Sequence, residues 1–398
     1  MKIQTTLAFE KIYDAYKRGN RLIAAVGGSR SGKSFSILQI LLLEMLSRGN
    51  LRITVWRNEK VVCRSTIMED FKRILVSDPY LYNLFTENKA LCTFTNKKNG
   101  SKISFEGGDS IGKVLGMTQD ISFFNEITEF SQDVFLQITQ RTGEAYFADW
   151  NPSKSFWFDK YRNRKDAEFI HSTYKDNAFV PEEIVKQLES YNPNLKQNVI
   201  NGTADKYMYQ VYCLGLKSEK PNRIYKKWKM CSLEHFLKLP FKSYYGHDFG
   251  EVAPSATVEV KFDGDNTFYI RERLYKPENM MESLEQELTK IGIGKSDLMV
   301  VDSASRDKML SLRKNGFYAI GARKGNSSNV AGISLISKFN IVYTSDSVNI
   351  ESEYENYSWE IDRYGKPTDE PLKKDDHLMD AMKYIIVFLD RYLGINKA

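Results

Sequence analysis

Residues Leu22 to Ser34, LIAAVGGSRSGKS, carry the types and spacing of phosphate chemistry. Gly27, Gly32, Lys33 and Ser34 fit the pattern G-x-x-x-x-G-K-[ST], between an apolar run, Leu22 to Val26, and a second, Phe35 to Leu46. Glycines at those places let the loop backbone, Ser29, Arg30 and Ser31 included, curl round a triphosphate. Lys33 offsets the charge of the outer phosphates, Ser34 is placed to ligate Mg²⁺, and the following helix aims its positive end at the anion. The pattern also occurs by chance. A strand-like run before it and a helical run after it make it a nucleoside triphosphate site, taking ATP with Mg²⁺.

Two later stretches end apolar runs in polar tips. In Asp120 to Phe130, DISFFNEITEF, the run Ile121 to Phe124 leads into Asn125 and Glu126, the shape of a Walker B segment. ATPases of the additional-strand kind place a Mg²⁺-associated acid there, followed by a glutamate that polarises the attacking water. Glu126 is assigned as that glutamate, and Asn125 departs from the usual acid. A second register, with Glu126 on the metal and Glu129 as the base, stays open. In Ala145 to Pro152, AYFADWNP, Asn151 is either a γ-phosphate sensor or the first half of an Asn-Pro turn. Parallel α/β sheets bind ligands at the carboxyl ends of their strands, where Asn151 would fall. Arg141, between these two strands, is either an arginine finger or, at least as readily, a solvated arginine.

The second half offers carboxylates instead. Asp248 ends a strand, Ser243 to Phe249, that opens a three-strand meander with Ser255 to Phe262 and Thr267 to Leu274. Asp302 stands at the tip of the strand Leu298 to Val301, after a helix expected over Glu278 to Ile291. Asp380 lies on a last helix from Asp375 to about Tyr392, sharing one face with Asp376 and His377. The Ala381, Tyr384, Ile385 and Phe388 face of that helix should pack on a sheet. This β-β-β-α-β order with an acid-bearing final helix is the ribonuclease H-like layout, in which clustered carboxylates hold two divalent metals about 4 Å apart. Oxygen ligands favour Mg²⁺ or Mn²⁺. Singly, each acid is more often a cap or a solvated charge, with Asp302 and Asp376 placed to cap helices; their joint placement is what points to a metal site.

These residues need two α/β units to position them, and 398 residues suffice for two. With 42% hydrophobic and 13% aromatic residues, both can be cored. Other elements expected in the first half are a helix over Lys2 to Lys17, a strand over Arg52 to Arg57, a helix over Lys60 to Leu75 and two strands within Leu91 to Phe105. No apolar run reaches the roughly 20 residues of a membrane span, and the N-terminal stretch lacks the pattern of a signal peptide. Cys63, Cys92, Cys213 and Cys231 are scattered, as thiols in a reducing compartment would be. The formal net charge of +6 tilts towards a polyanion. A short basic run, Lys217 to Lys229, KSEKPNRIYKKWK, reads as a linker. The expected organisation is α/β throughout: a P-loop ATPase domain over 1–216, the linker over 217–229 and a ribonuclease H-like domain over 230–398.

A phosphate-loop ATPase joined to such a nuclease resembles the large terminase subunit of tailed bacteriophages, over nearly the whole chain. GGSRSGKS is similar to the family's Walker A, FFNEITEF to its Walker B segment and DWNPS to its coupling segment. YYGHDFG, VVDSA and DHLMDAMKY resemble its three nuclease signatures. The resemblance implies metal ligands at Asp248, Asp302 and Asp380, with His377 assisting. It implies a motor that docks on the portal protein of an empty procapsid, pumps double-stranded DNA with ATP and cuts the concatemer. A small terminase subunit, a homo-oligomeric ring and a place in the host cytoplasm, transiently at the portal vertex, are implied likewise. Such a motor should grip DNA backbone without reading sequence. Lys226, Lys227 and Lys229, with Arg323 and Lys324, are candidates for that grip.

Overall fold

The computed structural model describes residues 4–153, 156–322, 328–362 and 367–395. Arg323 and Lys324 lie outside them. The chain divides into two compact units, with the main boundary after Ser218.

The first unit is built on eight strands: β1 (Leu22–Gly27), β2 (Arg52–Arg57), β3 (Phe85–Asn88), β4 (Thr93–Asn96), β5 (Lys102–Gly107), β6 (Gln119–Asn125), β7 (Thr142–Trp150) and β8 (Ala167–Ser172). Their order is β3-β4-β5-β2-β6-β7-β1-β8. From β5 to β8 every pairing is parallel; β3 and β4 fold back antiparallel at the edge. β1 is buried along its whole length, as its unbroken apolar run requires of a strand with parallel neighbours on both sides. The helix after it, α2 (Lys33–Ser47), buries Ile37, Leu38, Ile40, Leu41, Leu42 and Met45 completely, as its apolar circumference dictates. A further helix, α1 (Leu7–Lys17), precedes β1, with Thr6 as its N-cap accepting from the Phe9 N–H at 3.1 Å.

The expected helix over Lys60 to Leu75 is two helices, Lys60–Ser65 and Ile67–Val76. Thr66 separates them at φ −121° and ψ −86°, and its hydroxyl donates to the Val62 carbonyl at 2.6 Å. A β-branched hydroxyl residue bonding back one turn competes with the helical ladder.

The second unit holds β9 (Lys229–Cys231), β10 (Ser243–Asp248), β11 (Pro254–Phe262), β12 (Thr267–Pro277), β13 (Met299–Val301), β14 (Ala319–Gly321) and β15 (Asn340–Thr344) in one sheet, ordered β14-β13-β10-β11-β12-β15-β9. β10, β11 and β12 form the antiparallel meander, and β13 runs parallel to β10. The last helix, His377–Leu393, lies on this sheet with Leu378, Ala381, Met382, Ile385, Ile386 and Leu389 wholly buried; Tyr384 and Phe388 are partly buried. Its close approach depends on Gly246 of β10, where a Cβ would stand 2.0 Å from the Ala381 carbonyl oxygen. That contact brings the first turn of the helix over the end of β10.

The helix expected over Glu278 to Ile291 is shorter. A 3₁₀ turn at Glu278–Met280 gives way to Leu284–Lys290, capped by Ser283, whose hydroxyl accepts from the Gln286 N–H at 3.1 Å. Residues 219–229, read as linker from sequence, are packed within the second unit. Tyr225 is 2% exposed and Trp228 stacks on Tyr354 with centroids 4.4 Å apart, while Lys226, Lys227 and Lys229 stay exposed. Among the described residues no helix is long and apolar enough to cross a membrane.

Candidate functional site

The turn from β1 into α2 places the phosphate-loop motif at the carboxyl edge of the first sheet, where strand tips and a helix N-terminus converge. Gly32 caps the helix at φ 85°, which a side chain would resist. Lys33, only 8% exposed, donates from Nζ to the carbonyls of Gly27 at 3.2 Å and Gly28 at 2.8 Å, and to Asn151 Oδ1 at 2.9 Å. Burial lowers its pKa, opposed by the charges of Asp149 and Glu126. Ser31 Oγ lies 3.4 Å from the same ammonium. Asn151 reaches Ser29 Oγ at 3.4 Å, and the Arg30 carbonyl accepts from Asn177 at 2.8 Å.

Beneath the loop sits Asp149, at the end of β7 and 1% exposed. Ser34 Oγ donates to its Oδ2. The Asn125 amide donates to both carboxylate oxygens, at 3.0 and 3.2 Å, and the Glu126 N–H donates to Oδ1 at 2.8 Å. Parallel register sets Asn125 directly opposite Asp149. Burial raises the Asp149 pKa, against the pull of these donors and of Lys33. Glu126 stands in a left-handed conformation, φ 56° and ψ 62°, that turns it out of β6. Its pKa is pushed up to about 7, by burial first and by the Asp149 charge second. Glu129 instead pairs with Arg57, at 3.1 Å from Nε and 3.0 Å from Nη2, and Arg57 Nη1 donates to Asn125 Oδ1 at 2.8 Å. Arg141 precedes β7, at the opposite sheet edge, and bonds Gln137 of the helix Gln132–Thr139 that ends just before it.

In the second unit Asp248 ends β10 and Asp302 follows β13, its parallel neighbour, so both reach the same edge. The Asp302 N–H donates to the His247 carbonyl at 3.1 Å, and its Oδ1 accepts from the Ala304 N–H at 3.0 Å. His377 Nδ1 lies 3.1 Å from Asp248 Oδ2, and the Tyr384 hydroxyl donates to Oδ1 at 3.4 Å. Asp380, one turn into the last helix, accepts from the ammonium of Lys383, which also donates to Asn329 Oδ1 at 3.0 Å. Burial raises the Asp248 pKa; the His377 bond opposes this, and the charges of Asp380 and Asp302 add to it. The bond to Asp248 raises the His377 pKa. Asp376 is pushed up to about 6 by burial and by Asp380. Carboxylates that raise one another in this way form a centre of negative potential suited to cations. Among the described residues no three His, Cys, Asp or Glu side chains already stand in the geometry of a metal site.

Residues 20–215 match the family model described as phage terminase large subunit, and residues 248–387 match the terminase RNAseH like domain. The chain belongs to the phage terminase large subunit family. Among curated relatives, the PBSX phage terminase large subunit of Bacillus subtilis (strain 168) is 24% identical over 324 residues, 72% of each chain. The terminase large subunit of Bacillus phage SPP1 is 21% identical over 396 residues, covering 90% of this chain and 89% of that one. Among solved structures, the HK97 bacteriophage large terminase aligns over 96% of this chain and 94% of its own at 12% identity, with a TM-score of 0.49. As a large terminase subunit the chain is a hydrolase of phage DNA packaging, with an ATPase domain and a ribonuclease H-like nuclease domain.

The structure of this terminase gathers Lys33, Ser34, Glu126 and Asn151 about the phosphate loop, and Asp248 and His377 at one edge of the second sheet. Three participants escaped the sequence reading. Asp149 is concealed inside an apolar strand, although a carboxylate there is costly without partners. Lys383 and Tyr384 lie three and four residues beyond Asp380 on the last helix, where the sequence presents the first as a surface ion pair and the second as sheet packing.

Proposed function

We propose that this terminase subunit hydrolyses ATP in its first unit to translocate double-stranded DNA into the procapsid, and cleaves concatemeric DNA in its second by two-metal chemistry. The observation that carries this is the pairing of a built phosphate loop with a separate edge of three carboxylates on strand, strand and helix.

In the ATPase, Lys33 would leave the loop carbonyls for the outer phosphates of ATP, and the loop N–H groups from Arg30 to Gly32 would take the remaining oxygens, while the Ser29 N–H is held by the Tyr212 carbonyl at 2.6 Å. Ser34 would help to hold the Mg²⁺ that accompanies the nucleotide. Glu126 is the residue that orients and deprotonates water, and its pKa near 7 suits a base at neutral pH. The bond from Lys33 to Asn151 makes Asn151 the natural sensor of phosphate occupancy, because a γ-phosphate competes for the same ammonium. The rival register gains little support, since Glu129 is committed to Arg57.

In the nuclease, Asp248, Asp302 and Asp380 are assigned as the holders of two Mg²⁺ or Mn²⁺ ions, a donor set of hard oxygens that fits either. When bound, such ions supply an activated water and charge neutralisation at the leaving oxygen. His377 fixes the Asp248 carboxylate, and Tyr384 steadies its other oxygen. Exposed Lys226, Lys227 and Lys229 suit sequence-independent contact with phosphates. The portal protein, the small terminase subunit and further copies of this chain in a ring are the partners this role requires, at the procapsid portal vertex in the host cytoplasm.

Plasmid cleavage in Mn²⁺ or Mg²⁺, compared between wild type and Asp302→Ala with ATP turnover measured alongside, tests the reading. Loss of cutting with ATPase retained supports it. Undiminished cutting by Asp302→Ala removes the nuclease assignment.

A further inference from the structure

We infer that Asp149, on β7, is the carboxylate that holds the Mg²⁺ of the nucleotide together with Ser34, and that Asn125, on β6, is its positioning residue. This rests on the ATPase reading above and moves the metal-associated acid one strand away from the segment in which sequence places it.

Of the acids near the loop, Asp149 alone touches the Ser34 hydroxyl among the described contacts. Glu126 approaches Asp149 through its main-chain N–H, and Glu129 is bound to Arg57. Asn125 carries no charge and so cannot supply the anionic oxygen that Mg²⁺ favours. Asp149 is 1% exposed, and a carboxylate so placed needs compensation. It receives four hydrogen bonds, from the Ser34 hydroxyl, twice from the Asn125 amide and from the Glu126 N–H. None of these donors is a cation. The carboxylate is thus fixed in direction with no ammonium or guanidinium bonded to it among the described residues, and a cation arriving beside Ser34 would offset the burial that raises its pKa.

Asn125 is locked by Arg57, whose Nη1 donates to Oδ1 at 2.8 Å, so the amide must turn Nδ2 towards Asp149. An aspartate at 125 would place a second carboxylate against the first, in a buried setting where like charges repel strongly. Amide on β6 and acid on β7 are therefore complementary. The missing acid of the NEITE segment is accounted for by an exchange of roles across one register pair, Asn125 and Asp149.

The test is equilibrium binding of a fluorescent, non-hydrolysable ATP analogue to the full chain, titrated with Mg²⁺ from an EDTA baseline. The quantity read is the tightening that Mg²⁺ confers and the free Mg²⁺ that half-saturates it. Asp149→Asn should lose about tenfold or more of that tightening, whereas Glu126→Gln should keep it. Asp149→Glu keeps the charge and moves it by one methylene, and should raise the half-saturating Mg²⁺ several-fold even if the amide variant does not fold. Asn125→Ala should give a smaller rise in the same direction. Wild-type Mg²⁺ dependence in both Asp149 variants, or its loss in Glu126→Gln instead, overturns the inference. Failure of the ATPase reading looks different: no analogue binding by wild type, or binding unaffected by Lys33→Ala.

Discussion

The two acidic centres of this terminase solve the same electrostatic problem in opposite ways. At the phosphate loop, the buried Asp149 is held by a hydroxyl, an amide and a backbone N–H, all neutral. At the second sheet, Asp248 is paired with His377 and Asp380 with Lys383, both cationic groups of the last helix when protonated. Neutral donors orient a carboxylate without cancelling its charge, so the first centre is prepared for a cation. Pairing with cations of the same chain cancels the charge in place, so the second must exchange partners before it can bind metal. Under the proposed function, the difference would suit a subunit that turns over ATP continually and cuts DNA rarely.

The largest effects should come from removing one chemistry and leaving the other. Glu126→Gln keeps the size and hydrogen bonding of the side chain but removes the base, and should lower ATP turnover by about a hundredfold or more. Plasmid cleavage in Mn²⁺ should be unchanged. If cleavage fell in parallel with turnover, the two centres would not act separately and the comparison would collapse.

A smaller effect would sharpen the comparison at the second centre. Lys383 is 5% exposed, and its ammonium bonds Asp380 and Asn329. Lys383→Met retains the length and apolar packing of the stem and removes the charge that a metal must displace. The Mn²⁺ concentration giving half-maximal plasmid cleavage should fall several-fold. Cleavage lost at every Mn²⁺ concentration would instead make Lys383 a participant in the reaction.

The contrast also explains what could be read in the sequence. The phosphate loop is legible because its chemistry needs consecutive residues, Gly27 to Ser34. Asp248, Asp302 and Asp380 are legible because strand tips and a helix face fix where such acids point. Asp149 is different. Its neighbours Ala148 and Trp150 present it as the interior of a strand, and only the pairing of β6 with β7 sets it against Asn125. Lys383 is hidden for a related reason: on a helix end rich in acids, a lysine at i+3 reads as an ordinary surface pair, yet this one is buried. The run Lys217 to Lys229 misleads through its charge, although Tyr225 and Trp228 within it signal packing. Thr66 and Ser283 each divide an expected helix through one hydroxyl, a choice that periodicity alone does not register.

The smallest expected effect concerns a buried carboxylate that serves structure alone. Glu353, 3% exposed, accepts from the N–H groups of Leu378 and Met379 and so holds the first turn of the helix that carries Asp380. Burial raises its pKa well above that of an ordinary carboxylate, against the pull of those two donors. The native state therefore keeps a proton on Glu353 over a pH range in which the unfolded chain, titrating near about 4.3, has lost it. The stability it contributes is full below the unfolded value and declines as pH rises towards the native one. Glu353→Gln keeps an acceptor for both N–H groups without the charge, so it should abolish that decline and cost less than about 1 kcal/mol at acidic pH. Glu353→Ala leaves two helix N–H groups unsatisfied and should cost about 1–3 kcal/mol. Urea unfolding of the three proteins from pH 5 to pH 8 reads both effects. A wild type that gains stability with rising pH relative to Glu353→Gln would mean that the helix N-terminus outweighs burial. Glu353 would then be a fully ionised cap, closer in character to Asp149 than to a neutral acid.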